Sequence, residues 1–357
     1  TSANDDSVGG DTFADGPTTG LAGDWNYLGF QGASSASVIQ HAKVRYAAAS
    51  STWGINIASN PTFTDTTVEN GHGGGLIVAA GYQPTVRRCN FINNGTIAVQ
   101  IDAWACLTNM RNYIGTAIVA ASSQISAGES LTLQAGVTVK VRNAVFYGGF
   151  DCSGELSFRG TGLEPVTLTS IRDDSVGGDT NKDANATLPG PGDWTGLRYN
   201  TASSSGTIRH VRIRYGGTGV LSYSVLTAFD SVRCEKCSSE GFVFHNGSVD
   251  ATNLVAWQCG YFGISCAGGS FDLVNCTSVG NGNVGMQLAG WSGNVRNCIT
   301  WNNLVGNLAG AFAGAVYNSN GSVAWSTSNG NLFANPQFEN ELAGDLRLTS
   351  GSPCVGT

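Results

Sequence analysis

The strongest constraint on the fold of this chain is a short residue pattern that recurs about every 20–22 residues. One copy occupies residues 273–281 and another residues 295–303. Each copy begins with a branched apolar residue, has a cysteine at its fourth position and ends in an asparagine-rich turn, so that Cys276 and Cys298 lie 22 residues apart. This period, with very short strands, predicts a parallel β-helix in which each turn of chain pairs with the turn above it.

Stacked turns place like residues above one another. We therefore expect cysteines, valines and isoleucines to fill the interior, and Asn94, Asn281 and Asn303 to hydrogen-bond along the axis. A leucine-rich repeat has a similar period, but it needs leucines at fixed spacing, and leucine does not dominate this chain.

A second feature is an internal duplication. Residues 5–12 read Asp-Asp-Ser-Val-Gly-Gly-Asp-Thr, and the same eight residues occupy positions 173–180. Gly-Asp-Trp at 23–25 recurs at 192–194, and the alternating segment 39–46 recurs at 208–215. We infer two copies of one module, 1–122 and 123–357, within one continuous solenoid. We also predict two inserted Asp-rich loops, called here the first acidic loop (residues 5–24) and the second acidic loop (residues 173–193).

The composition favours an ordered all-β chain. Hydrophobic residues make up 41% and charged residues 12%, about half the usual charged share, and there are 50 glycines. The formal charge is −7 with scattered basic residues, which argues against nucleic acid as a partner. No run of 18 apolar residues is present, so no membrane span is expected.

The ten cysteines leave two interpretations open. At least two disulfides would imply an oxidising, extracellular setting. Alternatively, several cysteines are small apolar core residues. A zinc site would need paired Cys-x-x-Cys motifs, and Cys234 with Cys237 forms the only such motif.

The order of motifs in the second half resembles a known family. The glycine-punctuated strands of 127–141, the segment Pro-Val-x-x-Thr-Ser at 165–170, the acidic loop, Gly-Asp-Trp and the closing residues 335–353 are similar to bacterial secreted right-handed parallel β-helix repeat proteins. The resemblance implies an all-β, single-stranded right-handed parallel β-helix at an extracellular or cell-surface location. That architecture serves lyases, tailspikes and adhesins alike, so it is weak evidence for function.

The acidic loops suggest calcium. Asp179, Asn181 and Asp183 offer oxygens at alternate positions, as many calcium loops do. The first loop has Phe13 in place of Asn181, which predicts a weaker or differently built site. The alternative is that the aspartates cap backbone N–H groups in turns. The candidate calcium ligands are Asp5, Asp6, Asp11, Asp15, Asp24, Asp173, Asp174, Asp179, Asn181, Asp183 and Asp193.

Paired aromatic and histidine positions have structural interpretations as well as functional ones. Trp25 and Trp194 either stack on sugar rings or fold their loops back against the coil, and we favour the second role. His41 and His210 occupy matching points of alternating segments, which indicates surface or lateral packing.

Catalytic candidates are weak. A polyuronate lyase uses a Lys or Arg base, with calcium to neutralise the acid. The candidate bases are Arg233, Lys236 and Lys140, and the candidate acids are Asp230, Glu235 and Glu240. These residues form no adjacent catalytic motif, and a solvated charged edge is the favoured interpretation, so the chain is expected not to be an enzyme.

The sequence therefore favours a structural or adhesive protein. The alternatives are a calcium-dependent polysaccharide lyase or glycoside hydrolase, and a glycan-binding module without catalysis. Thr1-Ser2 aligns with Thr169-Ser170, so the entry strands of the first module are expected to be missing or processed. Residues 345–350 resemble those strands, which suggests head-to-tail association of copies into a filament.

Overall fold

The computed structural model has an all-β fold built of stacked parallel strands, a β-solenoid. In the part of the chain that the structure describes, helical structure is confined to short 3-10 turns such as Gly32–Ala36. No helix within the described residues is long and apolar enough to span a bilayer. The structure describes residues 1–49, 53–79, 82, 84–87, 89–95, 99–101, 118–120, 123–128, 130–141, 149–181, 183–223, 226–290, 292–311, 315–321 and 329–355.

The chain forms two compact units, Thr1–Pro189 and Gly190–Thr357. The module boundary predicted after residue 122 falls where residues 121 and 122 lie outside the described part, and it stays a prediction.

Short strands make up both units. The first unit contains β1 (Leu28–Gln31), β2 (Val38–Gln40), β3 (Lys43–Arg45), β4 (Trp53–Ala58), β5 (Thr62–Thr64), β6 (Thr67–Glu69), β7 (Gly74–Val78), β8 (Thr85–Arg87), β9 (Asn90–Ile92), β10 (Val99–Ile101), β11 (Ile118–Ala120), β12 (Ser123–Ile125), β13 (Ser130–Gln134), β14 (Thr138–Val141), β15 (Gly149–Cys152), β16 (Glu155–Arg159) and β17 (Val166–Ser170). The second unit contains β18 (Trp194–Tyr199), β19 (Ser205–Arg214), β20 (Gly216–Ser222), β21 (Leu226–Glu235), β22 (Phe242–Thr252), β23 (Val255–Trp257), β24 (Ile264–Val274), β25 (Thr277–Val279), β26 (Val284–Ala289), β27 (Asn294–Arg296), β28 (Ile299–Trp301), β29 (Gly306–Ala309), β30 (Ala315–Tyr317), β31 (Phe338–Asn340) and β32 (Asp345–Leu348).

The strand register confirms the predicted period in the second unit, whereas the steps in the first unit range from 19 to 29 residues. In the second unit, Val255 pairs with Thr277 and Thr277 with Ile299, each step covering 22 residues in parallel orientation. In the first unit, β1, β4 and β7 form one parallel column, β2, β5 and β8 a second, and β3, β6 and β9 a third. One turn of coil there contributes one strand to each column. The right-handed sense of the coil and the insertion of the two acidic loops stay predictions.

Buried aromatic rings meet inside the second unit. Phe244 lies between Phe229 and Phe271, with ring centroids 5.1 and 5.8 Å away, and all three side chains are buried. The three rings are not register partners, because Phe229 pairs with Ala251, Phe244 with Cys266 and Phe271 with Val249. They therefore pack against one another from different strand columns.

The asparagine prediction is confirmed where the turns can be compared. The Asn281 side chain donates to Oδ1 of Asn303 at 2.8 Å and accepts from the Cys259 backbone N–H. In the first unit, Asn94 accepts from Gly71 and donates to the Val68 carbonyl. A buried amide with donors and acceptors on both sides satisfies the backbone at the bends of adjacent turns.

A second amide ladder occupies an outer bend. Asn253, Asn275 and Asn297 all have φ between 54° and 56°, a left-handed conformation that asparagine tolerates better than most residues. Their side chains are linked by hydrogen bonds of 3.3 and 3.2 Å. The asparagine-rich turns of the sequence thus mark tight bends of the coil.

The described cysteines form no disulfide with one another, and all but the partly exposed Cys354 are buried. Cys106 lies outside the described residues. Burial raises the pKa of the Cys152 thiol to about 12. Of the two interpretations left open by the sequence, the structure supports small apolar core residues for the eight buried cysteines.

Candidate cation site

The two acidic loops begin with the same internal scaffold. In the second loop, Asp173 accepts hydrogen bonds from the Thr169 hydroxyl at 2.6 Å and from the Ser175 hydroxyl. In the first loop, Asp5 accepts from the hydroxyls of Thr1 and Ser7. Each of these two aspartates therefore links residues on either side of it by hydrogen bonds and fixes the conformation at the start of its loop.

The loops end in matching contacts as well. The indole N–H of Trp25 donates to the Arg45 carbonyl at 2.7 Å, and that of Trp194 donates to the Arg214 carbonyl at 2.8 Å. Both tryptophans fasten the end of a loop to the strand region after it, which is the role favoured from the sequence. Asp24 accepts from the Leu21 N–H, and Asp193 caps the Gly190 N–H in the same way.

The middle of the first loop is satisfied by neutral donors. Asp11 accepts from the backbone N–H groups of Asp15 and Gly16 at 3.2 and 2.9 Å. Asp6 accepts from the Thr18 N–H at 2.6 Å and from the Thr18 hydroxyl at 2.9 Å. These aspartates act as turn caps, the alternative to calcium binding considered above.

The middle of the second loop differs although eight residues are identical. Asp179 caps the N–H groups of Asp183 and Ala184, as Asp11 does in the first loop. Thr187, however, donates to Asp183. Asp174, the counterpart of Asp6, accepts no hydrogen bond at either oxygen.

Carboxylates consequently converge in the second loop. One oxygen from each of Asp174, Asp179 and Asp183 lies within 4.8 Å of the others. The Asp174 side chain is 9% exposed. Buried oxygens without a hydrogen-bond donor also occur at Asn181 and Asp183. Buried acceptors without donors are costly, and oxygen is the ligand type that hard cations such as calcium take.

A lysine lies beneath the same loop. Lys140 of β14 is 0% exposed, its Nζ donates to the Gly178 carbonyl, and it lies 3.7 Å from Oδ1 of Asp174. Burial lowers the pKa of Lys140, whereas the neighbouring carboxylates, led by Asp174, act in the opposite direction. Lys140 was a candidate catalytic base in the sequence analysis. The structure places its ammonium group beside the carboxylates of this loop.

The other catalytic candidates are engaged in structural contacts. Glu235 is 1% exposed and binds three guanidinium groups, an arrangement called here the arginine cluster. Its Oε1 lies 2.9 Å from Nε of Arg212 and 2.7 Å from Nε of Arg214, and its Oε2 lies 2.6 Å from Nε of Arg233. The first unit has a smaller equivalent, in which Glu69 lies 2.7 Å from Arg45.

The C-terminal hairpin, β31 and β32 with the turn between them, contacts the arginine cluster at Arg233. Arg233 donates to the Gly344 carbonyl at 3.0 Å and stacks over Trp257, whose indole donates to the Glu341 carbonyl at 3.1 Å. Lys236 has its Nζ 5.3 Å from the centre of the same Trp257 ring. Both candidate bases therefore serve as packing partners here.

The remaining acids are dispersed and paired. Asp230 lies 3.2 Å from Nε of Arg209 and accepts from Asn253 at 2.9 Å. Glu240 accepts from Ser239 at 2.7 Å and from Thr218 at 3.1 Å. The favoured interpretation was a solvated charged edge without a catalytic motif. Glu235 differs from it, because its side chain is 1% exposed and therefore not solvated.

A scan against family models and searches of curated proteins and of solved structures give no match to this chain. The residue-level geometry therefore carries the functional argument.

Proposed function

We propose that the chain is an extracellular structural or adhesive β-solenoid whose second acidic loop binds calcium. The arginine cluster carries the non-catalytic part of this proposal. It contains the candidate residues Arg233 and Glu235; the Glu235 carboxylate is buried and paired, and Arg233 contacts the C-terminal hairpin. A catalytic base must reach the proton that it abstracts, and Arg233 is instead fixed between Glu235 and the hairpin.

The resemblance to bacterial secreted right-handed β-helix proteins supports the proposed location. Stacked repeats create extended surfaces of the kind that solenoid proteins use for binding. The filament form of the proposal remains open to a direct test. Because β32 pairs antiparallel with β31 of the same chain, one edge of β32 is already occupied, and association through β32 uses its other edge or requires the hairpin to open. Light scattering and electron microscopy of the full chain distinguish filaments from separate molecules.

Polysaccharide assays test the non-catalytic proposal. We expect no cleavage of pectate, alginate or neutral glycans by the full chain, with or without calcium, measured as reducing ends and as unsaturated products. Lys236→Ala and Asp230→Asn are the control variants. Turnover that either variant abolishes would overturn the proposal in favour of the lyase alternative. Retention on a polysaccharide without turnover would favour the glycan-binding alternative.

Calcium is expected to raise the melting temperature of the protein. A ligand present at a hundred times its dissociation constant adds about 2.7 kcal/mol of stability. For a unit of this size that corresponds to a shift of about 5–10 °C. Calorimetry in excess calcium and in EDTA measures the difference.

The duplication supplies a matched control for the calcium experiment. Asp183→Asn should remove most of the calcium-dependent shift, because it removes a charged ligand from the second loop. Asp15→Asn changes the corresponding position of the first loop and should leave the shift intact. A wild-type transition that is the same in calcium and in EDTA would disprove calcium binding.

A further inference from the structure

Lys140 is an unusual residue for a solenoid strand. Its neighbours Val139 and Val141 are fully buried in the core, so strand alternation directs Lys140 to the opposite face of β14. An outward lysine would normally be solvated, yet this one is 0% exposed.

The second acidic loop accounts for this burial. β14 pairs with β17, with Lys140 opposite Thr169, and Thr169 donates to Asp173 at the start of the loop. From that position the lysine Nζ reaches the Gly178 carbonyl and faces Asp174. The ammonium group therefore lies on the coil side of the acidic cluster.

The described side chains of the cluster are predominantly acidic. Asp174, Asp179 and Asp183 contribute three carboxylates, Asp173 is buried beside Asp174, and Lys140 contributes a positive charge. The carboxylates attract a cation, and the ammonium group of Lys140 offsets part of that attraction. Since Asp174 Oδ2 and the free oxygens of Asn181 and Asp183 lack donors, they are available to such an ion.

The first loop shows what happens without a buried lysine. Asp6, which corresponds to Asp174, takes both of its hydrogen bonds from Thr18. The arginine in this loop, Arg45, contacts Asp5 at 3.3 Å. The same aspartate position thus takes neutral donors from Thr18 in the first loop and faces the Lys140 ammonium group in the second.

We infer that Lys140 is a resident cation of the second acidic loop and sets the loop's preference for divalent over trivalent ions. This inference rests on the proposed calcium site and names the residue that determines its charge preference. The ammonium group of Lys140 repels a trivalent ion more strongly than a divalent one, so removing it should favour the trivalent ion.

The test compares terbium and calcium binding to the full chain, by terbium luminescence with calcium competition and by calorimetry. Wild type should bind one calcium ion. Lys140→Met should raise the ratio of terbium affinity to calcium affinity at least tenfold, because the fixed positive charge is gone. Lys43→Met, which removes an exposed lysine near Glu69, should leave the ratio unchanged. An unchanged ratio in Lys140→Met would overturn the inference.

A second variant covers the case in which Lys140→Met does not fold. Asp174→Asn lowers the cluster charge by one and should shift the ratio in the opposite direction, towards calcium. If wild type binds neither ion, the calcium proposal fails by itself. The resident-cation role is then decided in EDTA by a double-mutant cycle of Lys140→Met and Asp174→Asn, in which additive losses of stability would refute it.

Discussion

Replacing Glu235 with alanine is expected to lower the free energy of unfolding of the second unit by about 3–5 kcal/mol, the cost of breaking a buried ion pair from one side. The change leaves Arg212, Arg214 and Arg233 facing one another with no carboxylate between them. It also loosens Arg233, which holds the Gly344 carbonyl of the C-terminal hairpin. Urea titration of the full chain, fitted with a step for each unit, measures the loss.

The first unit provides the control for this prediction. Glu69→Ala removes the carboxylate that contacts Arg45, but the Glu69 side chain is more exposed than Glu235 and no hairpin contact depends on it. We expect a clearly smaller loss there. A loss below about 1 kcal/mol for Glu235→Ala, the range of a surface ion pair, would contradict the prediction.

The same cluster predicts how stability depends on pH. Burial acts to raise the pKa of Glu235, but Arg212 and Arg233 more than offset it, so the pKa lies below the ordinary value of 4.5. A carboxyl whose pKa falls on folding stabilises the protein above its unfolded-state pKa, and this stability is lost as the pH falls through the folded-state pKa. Wild type should lose stability below about pH 4.5 through this group, and Glu235→Gln should lack that part of the loss.

The sequence was sufficient to predict the fold because its signal is repeated. Many turns with similar spacing specify the 22-residue register, and one misjudged strand does not alter it. The stacking of Asn281 with Asn303 followed from the same spacing. The arginine cluster could also have been found in this way, because Arg214 and Glu235 are paired residues one turn apart.

The acidic site was less predictable because its properties depend on contacts outside the motif. Asp6 and Asp174 occupy the same position in identical eight-residue segments. Their environments differ because Thr18 donates to Asp6, whereas Lys140, far upstream in the chain, faces Asp174. No local pattern records which strand passes beneath a loop.

Trp194→Ala is expected to cost the second unit about 3–5 kcal/mol, the range for truncating a buried aromatic side chain. Trp194 begins β18, the first strand of the unit, and is 2% exposed, so removing its ring leaves a cavity in the surrounding core. The change also deprives the Arg214 carbonyl of its indole donor, and Arg214 is one of the three arginines on Glu235. The substitution therefore weakens packing and the arginine cluster together.

The duplicated tryptophan separates these contributions. Trp25 makes the corresponding hydrogen bond to the Arg45 carbonyl but is half-buried, so Trp25→Ala should cost distinctly less in the first unit. Trp194→Phe keeps most of the buried ring area and removes the donor, and its loss should be close to that of one hydrogen bond, about 1 kcal/mol. Urea titration of the three variants gives the comparison. Equal losses for Trp194→Ala and Trp25→Ala would show that burial does not set the contribution of this position, because the two differ most in exposure.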